Sequence, residues 1–459
     1  MKGDFTRDTF DPLRHFSRVL MQQGRVQLDA DFNEQASILL YYLRTAISDI
    51  IGPYGAVGNG FMIVSPPKDA SGDALKIPAA PRDRLNICRG HYYVDGILCE
   101  NEEDLYIDKA ELEAAKGQLQ QGNPCLYLDV WERHITYVQD DRIREVALGG
   151  PDTCTRSKIV WRIRIGQISE NIPVEAWIRQ LPRLSTARIR ARVHPEQSDN
   201  NICTIPPESR YRGAENQLYR IEIHRGGVAW KDATDPGGNS SGNATFKWSR
   251  DNGSVVFPIV RQQGAVATLL SLGRDERTGL KVGDWVEITD DEIELRGEPG
   301  IMAQVDKVDP LEMQVTLNQL EGGASWPEYD EKTVNKHPLV RRWDQRAKEG
   351  LTLSMGAIPI TESADPSSGW IEIEDGIEVQ FTAPGRQADA KETRSYRTGD
   401  YWLIPARVAT GKIEWPETGE ASGLPPHGVE HHYAPLAVMK DGIPDDQRPK
   451  FEPLAKSRI

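Results

Sequence analysis

Hydrophobic and polar positions along the chain change period near residue 60. Before that point Phe32, Ala36, Leu39, Leu40, Leu43, Ile47 and Ile50 recur at helical intervals, as on one face of an α-helix. Asp31 and Glu34 stand at capping-box spacing near its start, and Gly52-Pro53 stops it. The stripe is wide, with Tyr41 and Tyr42 at its margin, so it must pack on its own domain or on a neighbouring subunit. Upstream, residues 18–21 and 25–28 flank Gln22-Gln23-Gly24, which predicts a short hairpin turning on the glycine.

From residue 61 onward short strands take over. Residues 92–98 and 126–131 are rich in aromatic and branched side chains, and a helical insert rich in Ala, Glu and Leu (109–120) separates them. Residues 159–165 alternate apolar with basic in their second half, like a half-exposed strand. A short helix is expected at 172–181 around Trp177, and the Arg-rich stretch 184–215 reads as a connection. Residues 218–224 alternate with period two, and a Gly/Asn/Ser loop at 235–243 leads to 245–248. Asp251-Asn252-Gly253 then predicts a hairpin turn into Val255-Val256-Phe257. Segments at 283–288, around Val305 and at 313–317 suggest a small antiparallel barrel or sandwich. Residues 370–374 and 377–381 flank Asp375-Gly376, and 398–404 echo 282–288, too little for a repeat array. The tail from Ala421 is rich in Pro and Gly and is expected to wrap a surface.

The fold predicted is mainly β with a few helices: several antiparallel sandwich or small-barrel units after an N-terminal hairpin-helix docking segment. The divisions drawn are 1–60 for docking, 61–183 for a β-rich domain with the helical insert, 184–340 for a sandwich or barrel, and 341–459 for a β-rich domain with the wrapping tail. The length of 459 residues suits about three domains. Gly 40 and Pro 30 together are about 15% of the chain, above the usual ~12%, which fits many turns.

A net charge of −14 argues against nucleic-acid binding. No apolar run approaches the ~20 residues of a membrane span, and the first residues lack the apolar core of a secretory signal. Membrane contact is therefore expected only through partners. Five cysteines with no C-x-x-C pair suggest small buried hydrophobes rather than a disulfide or zinc framework.

Catalytic signatures are missing: there is no P-loop, nucleophile elbow, H-E-x-x-H or EF-hand loop. The candidate metal ligands are His427, Glu430, His431 and His432, on a Pro-flanked loop where no helix fixes a common face. Hydrogen bonds that order the loop are the preferred reading, and no metal or cofactor is assigned. Asp290-Asp291-Glu292 and Glu372, Glu374 and Asp375 could be glycosidase carboxylates; solvated strand ends account for them better. Sequons at Asn239, Asn243 and Asn252 are read as idle. Arg179, Arg183, Arg188, Arg190, Arg192, Arg210, Arg212 and Arg220 make 179–220 locally basic, which suggests an interface with an acidic subunit.

Several segments resemble a bacterial family associated with phage tails and phage-tail-like contractile injection systems. They are 1–7 (MKGDFTR), 19–34 (VLMQQGRVQLDADFNE), 92–100 (YYVDGILCE), 126–136 (LYLDVWERHIT), 148–161 (LGGPDTCTRSKIVW), 244–258 (ATFKWSRDNGSVVFP), 399–407 (GDYWLIPAR) and 428–437 (GVEHHYAPLA). The pattern from Gly24 to Gln35 also resembles the attachment ends of tail and baseplate proteins. The resemblance implies a non-enzymatic structural subunit at or near a baseplate, in several symmetric copies, and transfers no catalytic residue.

Its expected partners are further copies of itself and other baseplate, sheath or spike subunits. It would assemble in the cytoplasm, with membrane association and extracellular release both open. The assembly candidates are Phe5, Phe10, Phe16, Phe32, Leu39, Leu43, Ile47, Arg188, Arg190 and Arg192. Two other readings stand beside it: an adaptor anchoring a particle to a membrane or target cell, and a carbohydrate-active enzyme.

Overall fold

Strands dominate the computed structural model, which describes residues 1–65, 84–108, 123–169, 171–194, 210–231, 242–319, 325–347, 351–384, 394–416 and 423–451. The helical insert expected at 109–120 and most of the loop at 235–243 lie outside the described residues. The chain forms two compact units, each from separated stretches. Residues 1–8, 134–156 and 184–429 make the first, and 9–133, 157–183 and 430–459 the second. The four contiguous divisions drawn from sequence differ from this, because periodicity marks strands but not their partners.

In the first unit six antiparallel strands close a barrel, in the order Val256–Gln263, Val266–Leu269, Gln314–Gln319, Ile301–Asp309, Trp285–Thr289 and Leu339–Trp343. Phe257, Ile259, Val286, Ile288, Val305 and Leu317 fill its interior, as small barrels require. A sandwich accompanies it. Its five-stranded sheet centres on Gln217–Arg225, flanked by Thr245–Ser249 and Tyr401–Arg407. The facing sheet pairs Ile377–Thr382 with Ile371–Glu374 and Ile189–Val193. Ile221, Ile223, Phe246 and Trp402 bury themselves with Val379 and Phe381 in its core, and the Phe246 and Phe381 ring centroids are 5.0 Å apart.

Two sequence expectations change here. Asp251-Asn252-Gly253 is not a hairpin turn: the strand before it pairs in the sandwich sheet and the strand after it in the barrel. Asn252 and Gly253 still take the positive φ of such a turn, 49° and 65°. Residues 184–215 are not only a connection, since Ile189–Val193 is a paired strand; Arg188, Arg190 and Arg192 alternate with its apolar residues. Residues 195–209 lie outside the described part.

The second unit carries α1 (Asp29–Ile51), close to the helix expected. One of its sheets runs Lys450–Phe451, Tyr54–Val57, Gly90–Val94 and Ile97–Asn101. Another runs Ile443–Asp446, His432–Lys440, Asn123–Ile135 and Arg156–Ile168. Phe61, Tyr92, Val94, Leu126, Leu128 and Leu436 belong to its core. The C-terminal tail therefore does not merely wrap a surface. His432–Lys440 is an internal strand with six consecutive buried residues, because the segment Ala434-Pro435-Leu436-Ala437-Val438-Met439 is apolar throughout and free of Gly. The expected short helix is present as Val174–Ile178. The expected N-terminal hairpin reduces to a turn at Gly24 (φ 69°) without a strand ladder on either side, as is usual for an isolated two-stranded ribbon.

Candidate functional site

α1 is amphipathic, yet it buries only Ala30 and Ile38. Phe32, Leu39 and Leu43 are 61%, 60% and 56% exposed, and Leu40, Tyr41, Tyr42 and Ile50 are exposed as well. Ile47 is half-buried. The extended arm before the helix continues the apolar surface with Leu13, Phe16, Leu20, Met21 and Val26. The arm is fixed to α1 by polar contacts: Thr9 Oγ1 donates to Glu34 at 2.5 Å, and the Val19 amide donates to Gln35 at 2.8 Å. Phe10 lies against Tyr41 with ring centroids 5.9 Å apart, and the Arg14 guanidinium covers the Phe16 ring at 4.5 Å. Phe10, Phe16, Ile38, Tyr41 and Tyr42 line a small pocket between the arm and α1.

The first residues of the chain behave differently from the rest of the expected docking segment. Residues 1–8 belong to the first unit. Asn252 donates through its side-chain nitrogen to the Met1 and Gly3 carbonyls at 3.0 and 2.9 Å. Arg220 donates to the Met1 carbonyl at 3.2 Å, and Lys2 Nζ lies 3.1 Å from Glu222. Phe5 packs edge-on against His134 at 5.8 Å, and its ring lies where a Cβ on Gly3 would intrude. Phe5, named among the expected docking aromatics, is half-buried against its own unit.

These contacts enter a buried ionic cluster. Arg220, Glu222 and His224 alternate along one strand with Tyr219, Ile221 and Ile223, and all six are buried. Lys247 Nζ bridges Glu222 and Glu287 at 3.3 and 2.6 Å, while Arg220 Nε meets Glu222 at 2.5 Å. Trp343 Nε1 donates to Glu287 at 3.0 Å, and Arg341 donates to the Gly253 carbonyl. Burial alone would push both carboxyls up. The surrounding cations, Lys2, Arg220 and Lys247 for Glu222 and Lys247 foremost for Glu287, hold both well below the usual carboxylate range. Burial also lowers Arg341 and His224. Removing one charge from such a cluster strands its buried partners.

The candidate metal ligands do not converge. His431 Nδ1 lies 2.6 Å from Asp129 and its ring stacks on Trp131, while His432 Nδ1 lies 2.8 Å from Asp95. Arg164 and Arg183 pair with the same two aspartates at 3.2 and 2.8 Å. His427 stacks on Tyr401, its Nδ1 3.3 Å from the Leu403 amide, and Glu430 is exposed. Among the described residues no group of three or more His, Cys, Asp or Glu is placed to hold a metal ion.

The suspected carboxylates have structural partners. Asp290 caps a helix by accepting from the Ile293 amide and also accepts from Tyr329, Asp291 meets His337 at 2.7 Å, and Glu374 meets Arg250 at 2.6 Å. The basic strip is also engaged within its own sheet. Arg190 is buried on Gln380 at 2.6 Å, Arg192 pairs with Glu378 at 2.7 Å and covers the Trp370 ring, and Arg188 donates to the Gly423 carbonyl. All three arginines of the expected interface strip therefore have partners within their own unit.

Sequence reasoning missed Asn252, Lys247 and Glu287. The period-two alternation was legible, but a polar strand face buried against charge has the same pattern as one facing water.

No curated protein and no solved structure matches the chain. A family model matches residues 1–172 and 174–458, so the chain belongs to DUF6519, a family of unknown function.

Proposed function

We propose that this protein is a structural subunit of a phage-tail-like contractile injection system, at or near the baseplate, present in several symmetric copies. The observation that carries the reading is a concentration of exposed apolar side chains. Of the twenty-seven exposed large hydrophobics among the described residues, thirteen fall between Leu13 and Ile50. Such a concentration of exposed apolar side chains in one segment is a mark of assembly. The kind of assembly comes from the resemblance of the motifs, and repetition around a ring lets a modest contact hold by avidity.

Mass spectrometry of purified sheath-containing particles, followed by localisation in a particle map, tests the assignment. Several copies at the baseplate end support it, and absence from the particles overturns it. Truncating residues 1–55 would confuse the result, because residues 1–3 sit in the ionic cluster. Replacing Leu20 and Val26 by serine spares that cluster. These variants should keep their unfolding temperature and leave the particle. Adsorption of the purified chain to lipid vesicles, together with association with the particle, would favour the adaptor reading instead.

A further inference from the structure

Six exposed apolar residues of α1, Phe32, Ala36, Leu39, Leu43, Ala46 and Ile50, are separated alternately by four and three positions. That is the 3.5-residue period of a coiled-coil seam. Ala30 and Ile38, which α1 buries in its own unit, lie roughly 120–160° around the helix from this seam at about 100° per residue. One side of the helix is used within the unit, and a second, regular side is left to solvent.

The seam reads the same in both directions: large, small, large, large, small, large. Phe32 and Ile50, Ala36 and Ala46, and Leu39 and Leu43 are each symmetric about Tyr41. We propose that α1 docks on α1 of a second copy of this chain, antiparallel, about a twofold axis passing near Tyr41. In that register the large residues face one another, and the alanine layers let the helices approach closely. Each contact occurs twice, as an isologous interface demands.

Charge selects the same arrangement. The seam's flanks, Asn33, Gln35, Leu40, Tyr42, Ile47 and Asp49, contain one charged residue, and the antiparallel register sets Asp49 near Gln35 rather than near another acid. A parallel pair would bring together two N-terminal turns that each carry Asp29 and Asp31, with their macrodipoles aligned. The antiparallel pair separates these acids by the helix length and opposes the dipoles. Area is sufficient too. With Phe32, Leu39, Leu43 and Ile50 each more than half exposed, the seam and its flanks offer on the order of 600 Å² per chain. Two copies then bury on the order of 1,200 Å², the lower end of specific interfaces.

This pairing does not depend on the particle assignment, and its test uses the purified full chain alone. Sedimentation velocity should show a dimer. The double variant Leu39→Glu/Leu43→Glu should weaken it by roughly a hundredfold or more, while the unfolding temperature of the dilute monomer stays unchanged because both positions are exposed within one chain. Orientation is read from disulfides in a Cys154→Ser background. A mixture of the Leu39→Cys and Leu43→Cys variants should cross-link between the two, and neither variant should cross-link alone. A monomer at about 100 μM, a dimer that survives the double variant, or disulfides formed within each single variant would overturn the proposal. Absence of the chain from particles would leave it standing.

Discussion

The Lys247 ammonium lies 2.6 Å from a Glu287 carboxylate oxygen, with both side chains almost entirely buried. Glu222 and Trp343 also touch this pair, so removing one charge strands another. Lys247→Met should cost about 3–5 kcal/mol in unfolding free energy, as for other broken buried pairs. Adding Glu287→Gln should recover part of the loss, which denaturant titration of the single and double variants will show. The cluster also fixes the acid response. Because Glu287 and Glu222 are held below the usual carboxylate range, their contribution is complete above about pH 4.3 and is lost as the pH falls toward their native values.

A second acid-sensitive group has the opposite chemistry. Burial, followed by nearby positive charges that include Arg341 and Arg220, lowers the His134 imidazole from 6.5 to about 3. The folded protein keeps it neutral while the unfolded chain takes up a proton below pH 6.5. Stability should therefore fall between pH 6.5 and about 3, by roughly 1.4 kcal/mol per pH unit from this group. His134→Gln should flatten that part of the stability profile between pH 6 and 4, and an unchanged slope would refute the assignment.

Gly96 turns the hairpin that joins Gly90–Val94 to Ile97–Asn101, with φ at 75°. A Cβ at this position would collide with the Arg44 carbonyl of α1. Gly96→Ala should cost about 2 kcal/mol or more and speed proteolysis within α1. Gly442→Ala is the control: it has a similar φ of 78° and open space around it, so only about 1 kcal/mol of backbone strain is expected.

The thiols should separate by reactivity. Burial pushes the Cys99 and Cys125 thiols up to about 12, whereas Cys154 is exposed. At pH 8 a thiol reagent should label Cys154 and leave Cys99 and Cys125 untouched until the protein unfolds.

Much of the strand content was readable from residues, and α1 was placed within two positions of its ends. Pairing was not. Residues 432–440 and 123–135 are adjacent in one sheet though some 300 positions apart, and nothing local announces that. The arginines at 188, 190 and 192 carried a strand signal in their alternation with Ile189 and Ala191, but composition outweighed periodicity. Asn252-Gly253 has the backbone of a hairpin turn while its asparagine holds residues 1–3. Turn chemistry reports local dihedrals, not which sheet the chain enters next. The exposed face of α1 was legible as an apolar stripe. Its freedom from the chain's own core became visible only once burial was known.

The interleaving of the two units has a consequence for synthesis. All of residues 184–429 leave the ribosome before His432–Lys440 exists. The second unit, most of which is made before residue 184, closes last, so during translation the edge of Asn123–Ile135 that will receive that strand stays open. An unpaired edge is a template for pairing with another chain, and crowded polysomes carry many nascent copies. Slow elongation past residue 429 would prolong that hazard, which ties the yield of this protein to translation speed as well as to its final stability.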